Sequence, residues 1–170
     1  MGEAATLPVL RGERLVLRPA VPDDAEAVHA IVHEPEVAPW WGSSTLEEVR
    51  DDLEGTYVVV VEDEVAGWLH VHEETDPEYP SVAFDIALTT RLHGRGYGRE
   101  ALRVVIRHFI ARGHHRFTID PAVANERAIR SYAAVGFKPV GVMREVERAP
   151  DGSWRDGLLM DLLARELIDR

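Results

Sequence analysis

The sequence predicts an α+β domain built on a mixed β-sheet. Strand-like and helix-like segments follow one another in the order β-α-α-β-β-β-α-β-α-β-β. A glycine-rich loop joins one of the central strands to the longest amphipathic helix. The chain has 170 residues, of which 45% are hydrophobic and 29% charged, and these values indicate one globular domain spanning residues 1–170.

The amino-terminal region predicts one strand and two helices. Residues 14–18 alternate in the manner of a strand, and Pro19 ends the run. Residues 23–33 place apolar side chains at helical spacing behind two acids that suit the positive end of a helix dipole. Thr45 and Glu48 have the spacing of a capping box, so a short second helix is expected to follow Thr45.

Three strands are predicted next. Residues 57–62 and 65–72 are strand-like and are separated by the two-residue turn 63–64, which predicts a hairpin. An acidic loop follows, and then residues 81–88 carry apolar side chains at every even position. The odd positions, which share the opposite face of this strand, are Ala83, Asp85 and Ala87.

The carboxyl-terminal half predicts two helices among three strands. The long amphipathic helix spans about 98–112 and stops at Gly113. A strand at 115–120 and a helix at 125–135 follow it. The chain then forms two more strands that are joined by a turn at 150–153.

Composition and charge exclude several classes of protein. Cysteine is absent, which excludes disulfides, thiolate metal sites and a cysteine nucleophile. Two histidine pairs, His29 with His33 and His70 with His72, lack a recognisable third ligand, so we expect no metal site. The net charge of -11 opposes nucleic-acid binding and favours cationic partners.

The sequence contains neither a membrane span nor a secretion signal that we can recognise. The apolar run 57–61 is far shorter than the roughly 20 residues that a membrane helix needs. Residues 1–6 lack a basic start followed by an apolar stretch. We therefore expect a cytoplasmic monomer or homodimer that binds neither nucleic acid nor membrane.

The glycine-rich segment Gly94-Arg95-Gly96-Tyr97-Gly98 lies between a predicted strand and a predicted helix. Glycines allow the backbone to approach an anion closely, and the helix amino terminus adds partial positive charge. The expected ligand is a pyrophosphate, with Arg95 and Arg99 as further contacts. The alternative is an ordinary flexible turn.

Two carboxylates are candidates for handling an amine. Asp85 is flanked on its strand face by Ala83 and Ala87, whose small side chains leave a groove beside it. Asp120 ends the next predicted strand. Together they could hold an ammonium group and accept its proton. The alternative is that both are solvent-facing charges that stabilise turns.

Two longer segments resemble a known family. The sequence His93-Gly94-Arg95-Gly96-Tyr97-Gly98 resembles motif A of the GNAT acetyltransferases, Gln/Arg-x-x-Gly-x-Gly/Ala, with His93 departing from the usual first residue. Residues 125–137 resemble motif B, Asn-x-x-Ala-x-x-x-Tyr-x-x-x-Gly-Phe. The resemblance implies the GNAT fold, a mostly antiparallel sheet with helices on both faces, and acetyl-CoA as the acetyl donor.

The same resemblance implies the residues that act on the cofactor. Asn125 would bind the pantetheine arm, and the Tyr132 hydroxyl would lie near the thioester sulfur, where it can protonate the departing thiolate. The alternative for Tyr132 is a half-buried ring that only packs its helix on the sheet. The backbone amide of a residue near Leu88 would polarise the thioester carbonyl. The implied cofactor-binding residues are Ile86, Ala87, Leu88, His93, Gly94, Arg95, Gly96, Tyr97, Gly98, Arg99, Asn125 and Tyr132.

Shorter segments resemble the aminoglycoside 6'-N-acetyltransferases within that family. They are Pro39-Trp40-Trp41-Gly42, Glu73-Glu74-Thr75-Asp76-Pro77, Phe84-Asp85 and Asp120-Pro121. This resemblance implies that the chain acetylates an aminoglycoside and confers antibiotic resistance. Asp85, Asp120 and Tyr132 would be catalytic. The implied acceptor-binding residues are Trp40, Trp41, Glu73, Glu74, Asp76, Asp85 and Asp120.

Details of the acceptor site rest on less specific patterns. We expect one of Trp40 and Trp41 to be buried and the other to line the acceptor site. The acidic run 73–78 could simply be solvated, or it could attract a polycation.

Other acceptors and a different class of protein remain open. Residues 148–164 resemble instead the Asp-Gly-x-Trp hairpin of ribosomal-protein-type GNAT acetyltransferases, which makes a protein amino terminus or another small amine the alternative acceptor. A non-catalytic module that binds acetyl-CoA or an antibiotic is a third possibility, against which Asp85 and Tyr132 argue.

Overall fold

The computed structural model describes residues 7–170. Residues 1–6, on which the expectation about a secretion signal depends, lie outside the described part. The described chain forms two compact units. The first extends to Val71 and includes Asp85–Ala101, and the second comprises His72–Phe84 and Leu102–Arg170.

The α+β fold with a mixed sheet is confirmed, and residues 7–170 contribute eight strands to the sheet. The strands are β1 (Leu10–Arg11), β2 (Val16–Pro19), β3 (Thr56–Val61), β4 (Glu64–Glu74), β5 (Ser81–Leu88), β6 (Arg116–Ile119), β7 (Lys138–Arg148) and β8 (Trp154–Leu163). The helices are α1 (Ala25–Val32), α2 (Ala38–Trp41), α3 (Leu46–Asp51), α4 (Tyr97–Ala111) and α5 (Glu126–Val135). Short 3-10 turns lie at Pro22–Asp24, Thr90–Leu92 and Ala164–Glu166.

The first unit contains strands β1 to β3, β4 up to Val71 and β5 from Asp85, with antiparallel pairing from β1 to β4. Helices α1 and α3 pack over this part of the sheet through buried Val28, Val49 and Val58. The predicted capping box is confirmed at the start of α3. The Glu48 N–H donates to Thr45 Oγ1 at 3.2 Å, and the Thr45 N–H donates to Glu48 Oε2 at 2.7 Å.

The predicted β3–β4 hairpin is confirmed, but its turn is wrong by one residue. Glu62 and Asp63 form the turn with φ values of 52° and 63°, and Val61 pairs with Glu64. Two successive positive φ values match the right-handed twist of the strands that the turn connects. Strand β4 also extends beyond the prediction, so Glu73 and Glu74 belong to a strand and the acidic loop begins at Thr75.

Helix α2 was not predicted, and it corrects the expectation for the tryptophan pair. It is one turn long and has proline at its second position, where the missing N–H costs nothing. Trp40 and Trp41 are both half-buried, so the expectation that one of them is buried is wrong.

The second unit contains the first half of β5, up to Phe84, followed in the sheet by β6, β8 and β7. Strands β5 and β6 are parallel, whereas β8 is antiparallel to both β6 and β7. At the end of α5, Gly136 has a φ of 123°, and a Cβ there would lie 2.6 Å from the Glu166 carbonyl oxygen. Only glycine therefore suits this position.

Strand β7 is an edge strand with an irregular register. Its pairing with β8 shifts between Met143 and Glu147, and Glu145 within the shift has a φ of 49°. Val140, Val142 and Val146 are exposed on this strand. The predicted turn at 150–153 is confirmed, with the Asp151 carboxylate accepting the Ser153 N–H at 2.9 Å.

Within residues 7–170, none of the helices combines the length and apolar character needed to cross a bilayer.

Candidate active site

The glycine loop, residues 93–98, leads from the 3-10 turn after β5 into α4 within the first unit. Gly94 and Gly96 have φ values of 72° and 82°, which side chains other than glycine rarely adopt. Gly98 lies in the first turn of α4, and a Cβ there would be 3.5 Å from Leu88 Cδ1. The loop thus has the strand-to-helix placement and the open backbone that anion binding requires.

Glu34 fixes the backbone at the entrance to this loop. Its carboxylate accepts hydrogen bonds from Thr89 Oγ1 at 2.6 Å, from the Thr90 N–H at 2.7 Å and from Thr90 Oγ1 at 2.7 Å. Burial opposes ionisation of this carboxylate, but the three hydrogen bonds outweigh it and hold the pKa of Glu34 below its ordinary value. The chain leaving β5 is therefore tied to the end of α1.

The side chain of His93 contacts the backbone rather than pointing away from the protein. Its Nε2 lies 2.9 Å from the Leu88 carbonyl oxygen, so the ring joins the two ends of the segment between β5 and the loop. Its Nδ1 is buried and lies 3.9 Å from a Glu36 carboxylate oxygen. This contact gives the departure from the family motif a structural explanation.

Arg14 and Glu100 fix the exit of the loop. Arg14 Nε donates to Glu100 Oε2 at 2.8 Å, and the Arg14 backbone N–H donates to Glu100 Oε1 at 2.6 Å. Arg14 Nη1 also donates to the Arg95 carbonyl oxygen at 3.0 Å. The guanidinium carbon lies 4.1 Å from the ring centroid of buried Tyr97.

The arginines of the loop and of α4 have different surroundings. Arg95 and Arg99 are exposed beside the glycine loop, where a phosphate contact stays a prediction. In the second unit, Arg103 donates to the carbonyl oxygens of Ile168 and Ala134, and Arg107 pairs with Asp169. Arg103 and Arg107 therefore have structural partners of their own.

Asp85 lies on β5 in the first unit and is half-buried. Ala87, which shares its strand face, belongs to a cluster against which Trp41 and Trp68 pack. The ring centroids of Trp41 and Trp68 are 5.1 Å apart with an interplanar angle of 75°, an edge-to-face pair. Half-buried aromatic surface and a carboxylate thus belong to one face of this part of the sheet.

The second unit holds the remaining predicted site residues. Asp120 is exposed directly after β6. Asn125 caps α5, because its Oδ1 accepts the Ala128 N–H at 3.3 Å. Tyr132 is half-buried on α5, with its ring centroid 6.3 Å from that of Phe137.

The acidic residues around the start of the 75–80 loop are engaged in local contacts. Glu73 Oε1 lies 2.7 Å from His114 Nε2 and 3.3 Å from Arg112 Nη2. Glu74 accepts the Asp76 N–H at 2.8 Å, and Asp76 accepts the Glu78 N–H at 2.9 Å. These contacts give Glu73 side-chain partners on the protein, whereas the side chains of Glu74 and Asp76 are exposed.

Comparison with known proteins identifies the class of this chain. Residues 14–138 match the family described as the acetyltransferase (GNAT) domain, and the chain belongs to this family. GNAT acetyltransferases take the acetyl group from acetyl-CoA and transfer it to an amine. The protein is accordingly an acetyl-CoA-dependent N-acetyltransferase.

Solved structures share the fold. A GNAT-family acetyltransferase from Bacillus anthracis is 20% identical with a TM-score of 0.81, over 94% of this chain and 100% of that one. Mycobacterium smegmatis RimJ, solved with CoA-disulfide, is 23% identical with a TM-score of 0.79, over 95% of this chain and 88% of that one. Ribosomal-protein-S5-alanine acetyltransferase from Vibrio fischeri is 20% identical with a TM-score of 0.77, over 96% of this chain and 100% of that one. No curated protein matches the sequence significantly.

Sequence reasoning missed the residues that hold the glycine loop in place. Arg14, Glu34 and Glu100 are absent from the predicted site, although all three bond to the loop or to the segments beside it. Glu100 offered one signal, since it is an acid in the first turn of the helix that follows the loop. Arg14 and Glu34 gave none, because their partners lie more than 50 residues away.

Proposed function

We propose that this GNAT enzyme transfers the acetyl group of acetyl-CoA directly to a primary amine of a polycationic aminosugar, the 6'-amine of an aminoglycoside. The observation that carries the proposal is the half-buried tryptophan surface on the same sheet face as Asp85. Indole rings pack against the apolar faces of sugars, and a carboxylate pairs with their ammonium groups. The segments that resemble the aminoglycoside 6'-N-acetyltransferases support the same acceptor.

The glycine loop is proposed to bind the pyrophosphate of acetyl-CoA. The positive φ of Gly94 and Gly96 and the start of α4 supply backbone N–H groups and the positive end of a helix dipole. Arg95 and Arg99 would add charge beside the same phosphates. Bound acetyl-CoA supplies an acetyl group already activated as a thioester.

The proposed chemistry needs no covalent acetyl-enzyme, in keeping with the absence of cysteine. The acceptor amine forms the new C–N bond as the C–S bond breaks. Asp85, aided by Asp120, would take the proton from the amine, and the Tyr132 hydroxyl would protonate the departing thiolate. Much of the acceleration would come from holding the two substrates together.

A thiol-release assay with purified protein and acetyl-CoA tests the proposal. The sharpest acceptor pair is an aminoglycoside with a 6'-amine and its analogue with a 6'-hydroxyl, because the two differ at the reacting group alone. The proposal expects turnover with the amine and none at that position with the hydroxyl. Equal thiol release from both analogues would exclude the 6'-position.

A protein amino terminus is the second candidate acceptor. Glu73 is engaged by His114 and Arg112 rather than left open for a cationic acceptor, and the Asp-Gly-x-Trp hairpin resembles the ribosomal-protein-type enzymes. Short peptides with free amino termini therefore belong in the same assay. Efficient acetylation of peptides with no turnover of any aminoglycoside would replace the first candidate by the second.

A further inference from the structure

We infer that Arg14 is a positioning residue for the glycine loop. Arg14 orients the Gly96 amide toward the anion and takes no part in the chemistry. The inference rests on the proposed binding of acetyl-CoA by this loop. It concerns a residue 81 positions away in sequence from the carbonyl that it holds.

The argument begins with the geometry of one peptide group. Arg14 Nη1 donates to the Arg95 carbonyl oxygen at 3.0 Å. In a trans peptide the carbonyl and the following N–H point in opposite directions. The Gly96 N–H therefore points away from Arg14, toward the side from which an anion can accept it.

The loop needs such an external contact because its own backbone is permissive. Gly94 and Gly96 both have positive φ, and glycine exchanges readily between backbone conformations. Arg14 Nη2 lies 3.4 Å from the position that a Cβ on Gly96 would occupy, so the guanidinium lies directly against the loop. Rotation of the 95–96 peptide would break the Arg14 bond.

Arg14 is engaged by three partners, Glu100, Arg95 and Tyr97, although its side chain is 42% exposed. Glu100 in the first turn of α4 accepts both the Arg14 Nε–H and the Arg14 backbone N–H. The guanidinium lies over the Tyr97 ring, with its carbon 4.1 Å from the ring centroid. With its charge paired to Glu100 and its Nη1 used by Arg95, Arg14 acts on the anion through the backbone.

The experiment compares direct CoA binding, measured by calorimetry, with the kinetic constants of each variant. For Arg14→Ala we expect the Kd of CoA and the KM of acetyl-CoA to rise about tenfold, as for the loss of one hydrogen bond from a charged group. The turnover number and the KM of the amine should stay unchanged. Arg14→Lys keeps the charge but not the fork of donors, so it should recover only part of the affinity.

A double variant and a matched control complete the test. Glu100→Gln should also weaken CoA binding. The double variant Arg14→Ala/Glu100→Gln should bind CoA no more weakly than Arg14→Ala alone, because both changes disrupt the same Arg14–Glu100 contact. Arg155→Ala, which breaks a similar pair with Glu147 at 2.7 Å, should leave CoA affinity unchanged.

Several outcomes would overturn the inference. Unchanged CoA affinity in a folded Arg14→Ala protein would do so, and so would full recovery by Arg14→Lys, because charge alone would then explain the effect. If Arg14→Ala does not fold, the CoA affinities of Arg14→Lys and Glu100→Gln test the inference instead. Normal CoA affinity in both of these variants would overturn it. Absence of CoA binding by the unmodified protein would refute the proposed function itself.

Discussion

At the scale of single residues, Gly98 differs from Gly94 and Gly96 because its φ is not positive. A Cβ at Gly98 would meet only Leu88 Cδ1 within 4 Å, at an ordinary contact distance of 3.5 Å. Alanine is also favoured over glycine inside a helix by about 1 kcal/mol. We expect Gly98→Ala to keep or raise the melting temperature and to leave the Kd of CoA unchanged, because the family motif admits alanine at this position.

Gly113→Ala is the matched control for Gly98→Ala. Gly113 has a φ of 100° and open space around its Cβ position, so alanine there should cost stability and leave CoA affinity intact. A folded Gly98→Ala protein that binds CoA much more weakly would contradict the alignment of this loop with the family motif. Gly96→Val is a poorer test, because a φ of 82° makes the substitution strained in the backbone itself.

The proposed role of Tyr132 as the proton donor gives a second prediction at this scale. Tyr132→Phe keeps the ring beside Phe137 but removes the hydroxyl, so turnover should fall about 100-fold, as for a lost general acid. The KM of acetyl-CoA should barely change. Tyr79→Phe, at a tyrosine that is 71% exposed, serves as the control and should be fully active. Full activity of Tyr132→Phe would leave Tyr132 as a packing residue.

At the scale of elements, the contact between the end of α1 and the end of β5 depends on the ionised form of Glu34. Its pKa is lowered from the ordinary value of 4.5, so ionisation of Glu34 stabilises the folded protein above that pH. The contribution is lost as the pH falls through the lower, folded-state pKa. We expect Glu34→Gln to be less stable than the unmodified protein near neutral pH, and the difference to shrink in acid.

Urea unfolding at several pH values measures this effect. Glu36→Gln is the control, since Glu36 is exposed and lies 3.9 Å from His93. A stability difference for Glu34→Gln that stays constant from neutral to acid pH would contradict the assigned linkage.

Elements with strong local signals were predicted from the sequence, and those without them were not. The capping box of Thr45 and Glu48, the stop of α4 at Gly113 and the strand β5 all follow from spacing within a few residues. Helix α2 is only one turn long and contains Pro39, so it has no periodicity to detect. Strand β4 continues through Glu73, whose carboxylate contacts His114 and Arg112, about 40 residues away, and no local pattern predicts such contacts.

At the scale of the whole molecule, 30 acidic residues against 19 basic ones give a net charge of -11. A polycationic acceptor should be attracted by this charge over long range. We expect the KM of an aminoglycoside to rise between about 0.01 M and 0.15 M salt, because the Debye length falls from about 30 Å to about 8 Å. The Kd of CoA must be measured separately at each salt concentration, and a salt-independent acceptor KM would contradict the attraction.

The candidate site was predictable where motifs are contiguous and unpredictable where it depends on long-range contacts. The glycine loop and the segment from Asn125 to Phe137 are recognisable because their spacing is local. The contacts of Arg14 with Arg95 and of Glu34 with Thr90 join residues 81 and 56 positions apart, and no local pattern predicts them. The assignment to GNAT acetyltransferases is confirmed, whereas the aminoglycoside acceptor and the catalytic residues stay predictions.

The irregular register of β7 has a consequence for solubility. An exposed edge strand carrying Val140, Val142 and Val146 would offer a template for pairing with another chain. The shift between Met143 and Glu147, with Glu145 at a positive φ, interrupts the flat row of backbone groups that such pairing needs. A shortened variant lacking Arg144 and Glu145 should therefore aggregate at concentrations where the unmodified protein stays monodisperse by light scattering.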